Sequence, residues 1–339
     1  MTLVAIAGTG LIGSSIGFGL SRTGWTVWGW DPDAEAAAGA LAVGAVDEIV
    51  GSFDDLVAID PDLLVLAGPP AATVASLQGL STETLTIDVA GVKRPIVAAA
   101  HVGRFVGTHP MAGREVSGPE AATPGLFRGA TWVITTDGAS DDDLAAVEAL
   151  VRSLGATPTR MTAAEHDAAV ARISHLPQLV AAAMLVNAAG TEGAMDLAAG
   201  SFRDITRVAA SDPALWVDVL AMNRDEVTDA ADNLMKVLGT VGENLGRDHS
   251  ALSATLDDAR SLRARVDDEA IAVRVALADR PGELAKMGRA LERSTVDVRD
   301  LQLRHAPHGG GGILTLSVRP SDEEHLRRAL IAEGLDLVG

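Results

Sequence analysis

Leu3-Val4-Ala5-Ile6-Ala7-Gly8-Thr9-Gly10-Leu11-Ile12-Gly13 carries the chain from an apolar run straight into three spaced glycines. A short apolar run bounded by glycine reads as a buried strand ending in a tight turn, and the helix-like Ser14–Leu20 follows it. Each glycine has a mechanical task. Gly8 permits the turn, Gly10 lets a pyrophosphate approach the backbone, and Gly13 lets helix and strand pack closely. The helix start, with Thr9, Leu11 and Ile12 around it, offers free N–H groups and a positive dipole end to phosphates. A second strand, Thr26–Trp30, ends in Asp31, about twenty residues beyond the glycines, where a ribose-binding acid belongs. A carboxylate there accepts hydrogen bonds from a ribose 2′-hydroxyl and repels a 2′-phosphate, so the cofactor expected is NAD rather than NADP. The glycine spacing alone is weak; with strand, helix and acid in register it is strong.

Outward from this unit, Leu63–Ala67, Leu85–Asp88, Phe105–Gly107 and Thr131–Thr135 read as further strands separated by helical stretches. Such alternation over residues 1–161 predicts a Rossmann-type, doubly wound α/β domain with ligands at the carboxyl ends of the strands. Asp88 and His109 both lie just past such ends. His109, in Gly107-Thr108-His109-Pro110-Met111-Ala112-Gly113, is expected on a loop, either as a general base of ordinary pKa near 6.5 or as a turn histidine. Glu115 and Ser117, just after it, are hydrogen-bonding pocket residues or simply polar loop.

Residues 162–266 read as helical. Thr162-Ala163-Ala164-Glu165 is a capping-box pattern, and Asp212-Pro213 an N-cap followed by proline at the first helical position. Arg203 and Arg207 lie four apart, on one helix face, suited to capture of a carboxylate or else a solvated basic face. His175, in Ile173-Ser174-His175-Leu176-Pro177-Gln178, is a packing histidine or a ligand contact. His101, His166, His249, His305 and His308 show no metal spacing and read as surface or structural; no metal is expected. So much apolar helix predicts pairing with a second copy. Residues 270–339 change character again, to a βαββα order with Leu335–Val338 as a short last strand, and Gly309–Gly312 as a hairpin tip.

At 339 residues the chain is long enough for two or three domains. A net charge of −19 argues against nucleic acid and anionic membrane as partners, though not against an anionic small substrate in a locally positive pocket. Without cysteine, disulfide and thiolate chemistry are excluded. No basic-apolar leader and no long uncharged span stand out, so a cytoplasmic protein is expected.

Taken together, Gly8–Gly13 with Asp31, Asp88–Lys93, His109–Gly118, Ile173–Gln178 and Phe202–Trp216 resemble prephenate dehydrogenase, a family of the tyrosine pathway, over nearly the whole chain. The runs His-Pro-Met-Ala-Gly-Arg-Glu-Val-Ser-Gly and Phe-Arg-Asp-Ile-Thr-Arg-Val-Ala-Ala-Ser-Asp-Pro carry it most specifically. The resemblance implies NAD-dependent oxidative decarboxylation of prephenate to 4-hydroxyphenylpyruvate. His109 matches the catalytic histidine that bonds the ring C4 hydroxyl, and Arg207 the arginine that binds a substrate carboxylate. Arg203, His175, Glu115 and Ser117 fall at the pocket. The helical region matches a dimerising domain. Residues 270–339, with Asp279-Arg280-Pro281-Gly282-Glu283-Leu284, look like an ACT domain, which implies an amino-acid effector, tyrosine by pathway logic. One departure stands out: Gly91 occupies the cofactor-side position where the family usually has a serine that orients the histidine. A water in its place or an altered substrate preference follows. Arogenate or 4-amino-4-deoxyprephenate are the alternative substrates. A non-catalytic amino-acid sensor is the reading from another class, and a generic hydroxyacid dehydrogenase lacks its usual lysine here.

Overall fold

The computed structural model describes residues 2–113, 116–247, 249–266, 271–296, 298–305 and 311–338. They form two compact units, Met1–Lys236 and Val237–Gly339.

The first unit opens with β1 (Leu3–Ala7), α1 (Leu11–Ser21), β2 (Thr26–Trp30), α2 (Ala34–Ala42), β3 (Glu48–Ile49), α3 (Phe53–Ala58), β4 (Leu63–Leu66), α4 (Pro70–Gly79), β5 (Leu85–Asp88), α5 (Arg94–Ala99) and β6 (Phe105–Val106). The six strands make one parallel sheet in the order β3-β2-β1-β4-β5-β6. Alternation decides which side each residue covers. Val4, Ile6, Leu63, Val65 and Ile87 pack with Ile16 and Leu20 of α1, whereas Ala5, Ala7, Leu64 and Leu66 pack with Leu56, Leu77 and Ile96 on the opposite face. Both faces are covered, which is why the strands read as unbroken apolar runs. Chain order reverses between β1 and β4, and that switch point opens the crevice in which a ligand of such a sheet sits.

The sheet does not continue through Thr131–Thr135 as the alternation suggests. After β6 the chain bends at Gly107 and forms β7 (Thr108–Pro110), which pairs antiparallel with β8 (Thr131–Thr135); α6 (Asp141–Ser153) then leads to β9 (Thr157–Met161), parallel to β8. These three strands are a separate sheet. Gly107 permits the bend by close approach: a Cβ there would stand 2.6 Å from Thr135 Oγ1, and its carbonyl accepts from Thr135 N at 2.8 Å. His109 is thus a strand residue opposite Val133, not a loop residue. Pro110 is tolerated because β7 is an edge strand.

The helical part comprises α7 (Ala163–Val170), a π-turn at Ala171–His175, α8 (Leu176–Ala189), α9 (Gly200–Thr206), α10 (Pro213–Met222), α11 (Arg224–Asn244) and α12 (His249–Val266). The capping box of α7 is present in full, and Asp212 caps α10 by accepting from Ala214 N at 2.9 Å. The π-turn lies just ahead of Pro177, which has no N–H to offer the carbonyl four residues back, so the backbone there widens. Arg203 and Arg207 are one turn apart but not on a single helix: α9 ends at Thr206, whose hydroxyl donates to Phe202 O at 2.7 Å, and Arg207 opens a 3-10 turn. Among the described residues one run, Ala163–Ala189, is long and apolar enough to cross a membrane by length and composition. The expectation of no long uncharged span overlooks it, since residues 173–191 carry no charged side chain. The run also holds four buried polar residues, His166, Asp167, His175 and Gln178.

The second unit ends in β10 (Ile271–Leu277), α13 (Glu283–Ser294), β11 (Val298–His305), β12 (Gly312–Val318), α14 (Glu323–Ala332) and β13 (Asp336–Val338). Its antiparallel sheet runs β11-β12-β10-β13. Val273, Val275 and Leu277 face Met287, Ala290, Leu326 and Leu330 of the two helices, and Arg274 and Ala276 face outward. Of the glycine run, residues 309 and 310 lie outside the described residues.

Candidate active site

The turn after β1 fits a dinucleotide. Gly8 has φ +99°, and a Cβ on it would stand 2.6 Å from the Ala67 carbonyl carbon. A Cβ on Gly13 would stand 1.9 Å from Gly8 O, so this position sets how closely α1 meets the turn. Gly10 meets nothing within 4 Å, which leaves open the side from which a pyrophosphate would approach. No side chain caps α1, so its first N–H groups are left for phosphates, with Leu11 and Ile12 in that first turn. Asp31 Oδ2 accepts from Thr9 N at 2.7 Å and Thr9 Oγ1 at 3.3 Å, and Oδ1 from Asp33 N at 2.9 Å. Those bonds steady the carboxylate and leave it lone pairs for a ribose. Asp31→Asn is expected to weaken NAD binding by roughly 10-fold or more, the worth of a charged hydrogen bond, and to narrow the preference over NADP. Titration of both cofactors by fluorescence checks this; unchanged affinities would remove Asp31 from the ribose site.

His109, half-buried on β7, stands at the end of a chain of contacts. Its Nδ1 lies 2.9 Å from Nε2 of His166, whose Nδ1 lies 2.7 Å from Asp167 Oδ1. Asp167 also accepts from the backbone N–H of Lys93 and Arg94, each at 2.8 Å. The opposite edge of the His109 ring, Cε1 and Nε2, faces position 91, 3.7 Å from where a Cβ on Gly91 would be. A side chain at 91 would therefore touch the ring at ordinary contact distance, and in this chain only His166 holds it by hydrogen bond among the described residues. Burial pushes the His109 imidazole well below its usual pKa, helped by the positive charge that His166, Lys93 and His175 can carry.

Beneath His109, Lys93 and Asp88 form an ion pair with no exposure. Lys93 Nζ also donates to Thr108 O at 2.6 Å, and Asp88 accepts from Ala90 N at 2.9 Å and Thr108 N at 3.1 Å. Burial raises the Asp88 carboxyl and lowers the Lys93 ammonium, each opposed by its partner's charge. With the ammonium bonded to two acceptors and the carboxylate to three donors, the charged pair is the form this geometry supports.

His175, at the end of the π-turn, is buried against the edge of Trp216 at 6.0 Å. Its Nδ1 meets Asn223 Nδ2 at 3.2 Å, and the ring also bonds the Gly91 backbone; burial lowers its pKa to about 4. Of the residues singled out in the sequence, His109, Gly91 and His175 are thus brought together, as are Gly8–Gly13 and Asp31. Arg203, Arg207 and Ser117 are exposed, and Glu115 lies outside the described residues. His166, read from sequence as surface or structural, is fully buried and touches His109. Its neighbour Asp167, a carboxylate in an apolar helical run, was the available signal that a buried partner was needed.

Comparison with known proteins bears on this arrangement. Residues 16–159 match the prephenate dehydrogenase nucleotide-binding domain, and residues 162–255 the prephenate dehydrogenase dimerization domain. The chain belongs to the prephenate dehydrogenase family. A prephenate dehydrogenase of Bacillus subtilis is 30% identical over 348 residues, covering 94% of this chain and 93% of its own. Among solved structures, the Aquifex aeolicus prephenate dehydrogenase in complex with hydroxyphenyl propionate and NAD+ is 28% identical with a TM-score of 0.73, covering 78% of this chain and 98% of its own. The Synechocystis arogenate dehydrogenase is 27% identical with a TM-score of 0.67, covering 78% of this chain and all of its own. Members of the family are NAD-dependent oxidoreductases, and this chain carries their nucleotide-binding and dimerization domains. Within the family match, both members of the His166–Asp167 pair fall in the dimerization domain, while His109 falls in the nucleotide-binding one.

Proposed function

We propose that this chain oxidises prephenate with NAD, releasing carbon dioxide and 4-hydroxyphenylpyruvate. The observation that carries the proposal is His109, a neutral imidazole with one ring edge facing Gly91 and the other tied to His166. NAD, when bound, supplies the hydride acceptor. His109 takes the proton of the C4 hydroxyl. The resulting ketone is conjugated to the carbon bearing the carboxylate, and aromatisation then drives decarboxylation, so the chain need only place the groups and accept a proton. By the family resemblance, Arg207 holds a substrate carboxylate, and Arg203, His175, Glu115 and Ser117 are the further substrate contacts. NADH formation with prephenate, and separately with arogenate, tests the reading. A rate with prephenate supports it, a rate with arogenate alone moves the substrate to the amino acid, and no rate with either overturns it. Gly91, beside the reacting edge of His109 and without a serine hydroxyl, is the reason to run both arms. Arg207→Ala is expected to raise the substrate KM by about 10-fold with kcat little changed, since the lost interaction is binding common to ground and transition states. A kcat loss without a KM change would count against that role.

The same proposal includes a homodimer and an effector. Within the dimerization match, Ile173, Val186, Leu197 and Val217 expose most of their apolar surface, as a face awaiting a second copy would. Light scattering showing a monomer at micromolar concentration would remove the dimer. Within residues 270–339, an ACT-like regulatory domain on this reading, a cavity of about 900 Å³ is lined by Arg274, Arg280, Glu283, Lys286, Arg304 and Asp336. Charges of both signs suit the carboxylate and ammonium of an amino acid such as tyrosine.

A further inference from the structure

His109 as base must carry a positive charge in a poor place for one. Burial and neighbouring positive groups make its conjugate acid costly, so an isolated His109 would hold a proton poorly as the hydroxyl gives it up. The contacts behind it supply the remedy. Asp167 as carboxylate can only accept, so the proton between it and His166 sits on His166 Nδ1. His166 Nε2 must then accept, and the proton between the two rings sits on His109 Nδ1. That leaves His109 Nε2, the nitrogen facing Gly91, with a bare lone pair.

We infer that His166 and Asp167 are positioning residues for the oxidation. They fix the tautomer of His109, and they take over the charge when it protonates. As the substrate O–H bond breaks, an N–H bond forms at His109 Nε2. The His109 Nδ1–H bond breaks in turn and an N–H bond forms at His166 Nε2. The electron pair of the substrate C–H bond leaves with the hydride to NAD. The resulting His166 imidazolium stands 2.7 Å from the Asp167 carboxylate, where positive charge is compensated as it is not at His109. Asp167 also lies among the residues lining a cavity of about 430 Å³, with Arg94, Asn223 and Glu226. The charged and titratable groups around the pair are Asp88 and Lys93 beneath β7, Arg94 on α5, His175 at the end of the π-turn and Glu226 on α11.

This inference rests on His109 being the base, and the test separates the two. Nitrogen-15 shifts of histidine-labelled resting protein read the tautomers without turnover. Protons on Nδ1 of both His109 and His166 are expected; a proton on His109 Nε2 overturns the inference whether or not prephenate is a substrate. In an active enzyme, His166→Gln keeps an acceptor for His109 Nδ1 but cannot take a proton. It should lower kcat by about 10-fold or more while leaving KM for both substrates within about two-fold. Asp167→Asn should act in the same direction and shift the acid limb of the kcat profile. Wild-type turnover in His166→Gln across the pH range would sink the relay and leave the function standing. If neither variant folds, the dependence of wild-type kcat on deuterium fraction decides. A curved dependence, two protons moving together, supports the relay, and a straight line overturns it.

Discussion

His109→Asn is expected to lower kcat by roughly 10²–10⁴ with little change in the KM for substrate or NAD. Asparagine keeps a group of similar reach on β7 and can still bond His166, but it offers no nitrogen that accepts a proton. The loss should therefore appear in turnover and not in binding. The pH dependence carries the same signature. Because burial depresses the His109 imidazole below its usual value, the base stays unprotonated as pH falls through 6.5, and the acid limb of kcat/KM should lie below that pH. The limb should vanish in His109→Asn. A variant with wild-type turnover, or a limb unchanged by the substitution, would remove His109 from the chemistry.

The second large effect is on stability. Lys93→Met leaves the Asp88 carboxylate buried without its cation, and breaking such a pair costs about 3–5 kcal/mol. Thr108 also loses the ammonium that bonds its carbonyl, so the damage reaches the residue beside His109. All five tryptophans, Trp25, Trp28, Trp30, Trp132 and Trp216, lie in the first unit, so their fluorescence during urea unfolding follows that unit alone. Lys93→Met with Asp88→Asn should recover much of the loss, because the double variant buries no unpaired charge and the amide oxygen introduced at position 88 can still accept from Ala90 N. A single variant within about 1 kcal/mol of wild type would show that Asp88 simply takes up a proton there.

Much of the architecture was legible because it rests on local patterns. The glycines after β1, the acid closing β2, the capping box of α7 and the Asp212 cap each follow from a few adjacent residues. The alternation of the second unit was equally plain. What escaped was non-local. β7 is three residues long and ends in proline, so no periodicity marks it, and only pairing with β8 makes it a strand. His166 looked like any helix residue because what gives it meaning, the ring of His109, is 57 residues away in sequence. Lys93 likewise gives no sign in sequence of being fully buried; its partner Asp88 and the carbonyl it bonds come from two different sheets.

The bend at Gly107 has a consequence for how such an enzyme can be tuned. On the proposed reading, the side chain that receives the proton rides on the small antiparallel sheet, whereas the turn that would hold the phosphates belongs to the large parallel one. The angle between the two is therefore the quantity that sets the gap between acceptor and dinucleotide. A single methyl added at residue 107 would push against Thr135 and open that angle, slowing the chemistry through the backbone alone.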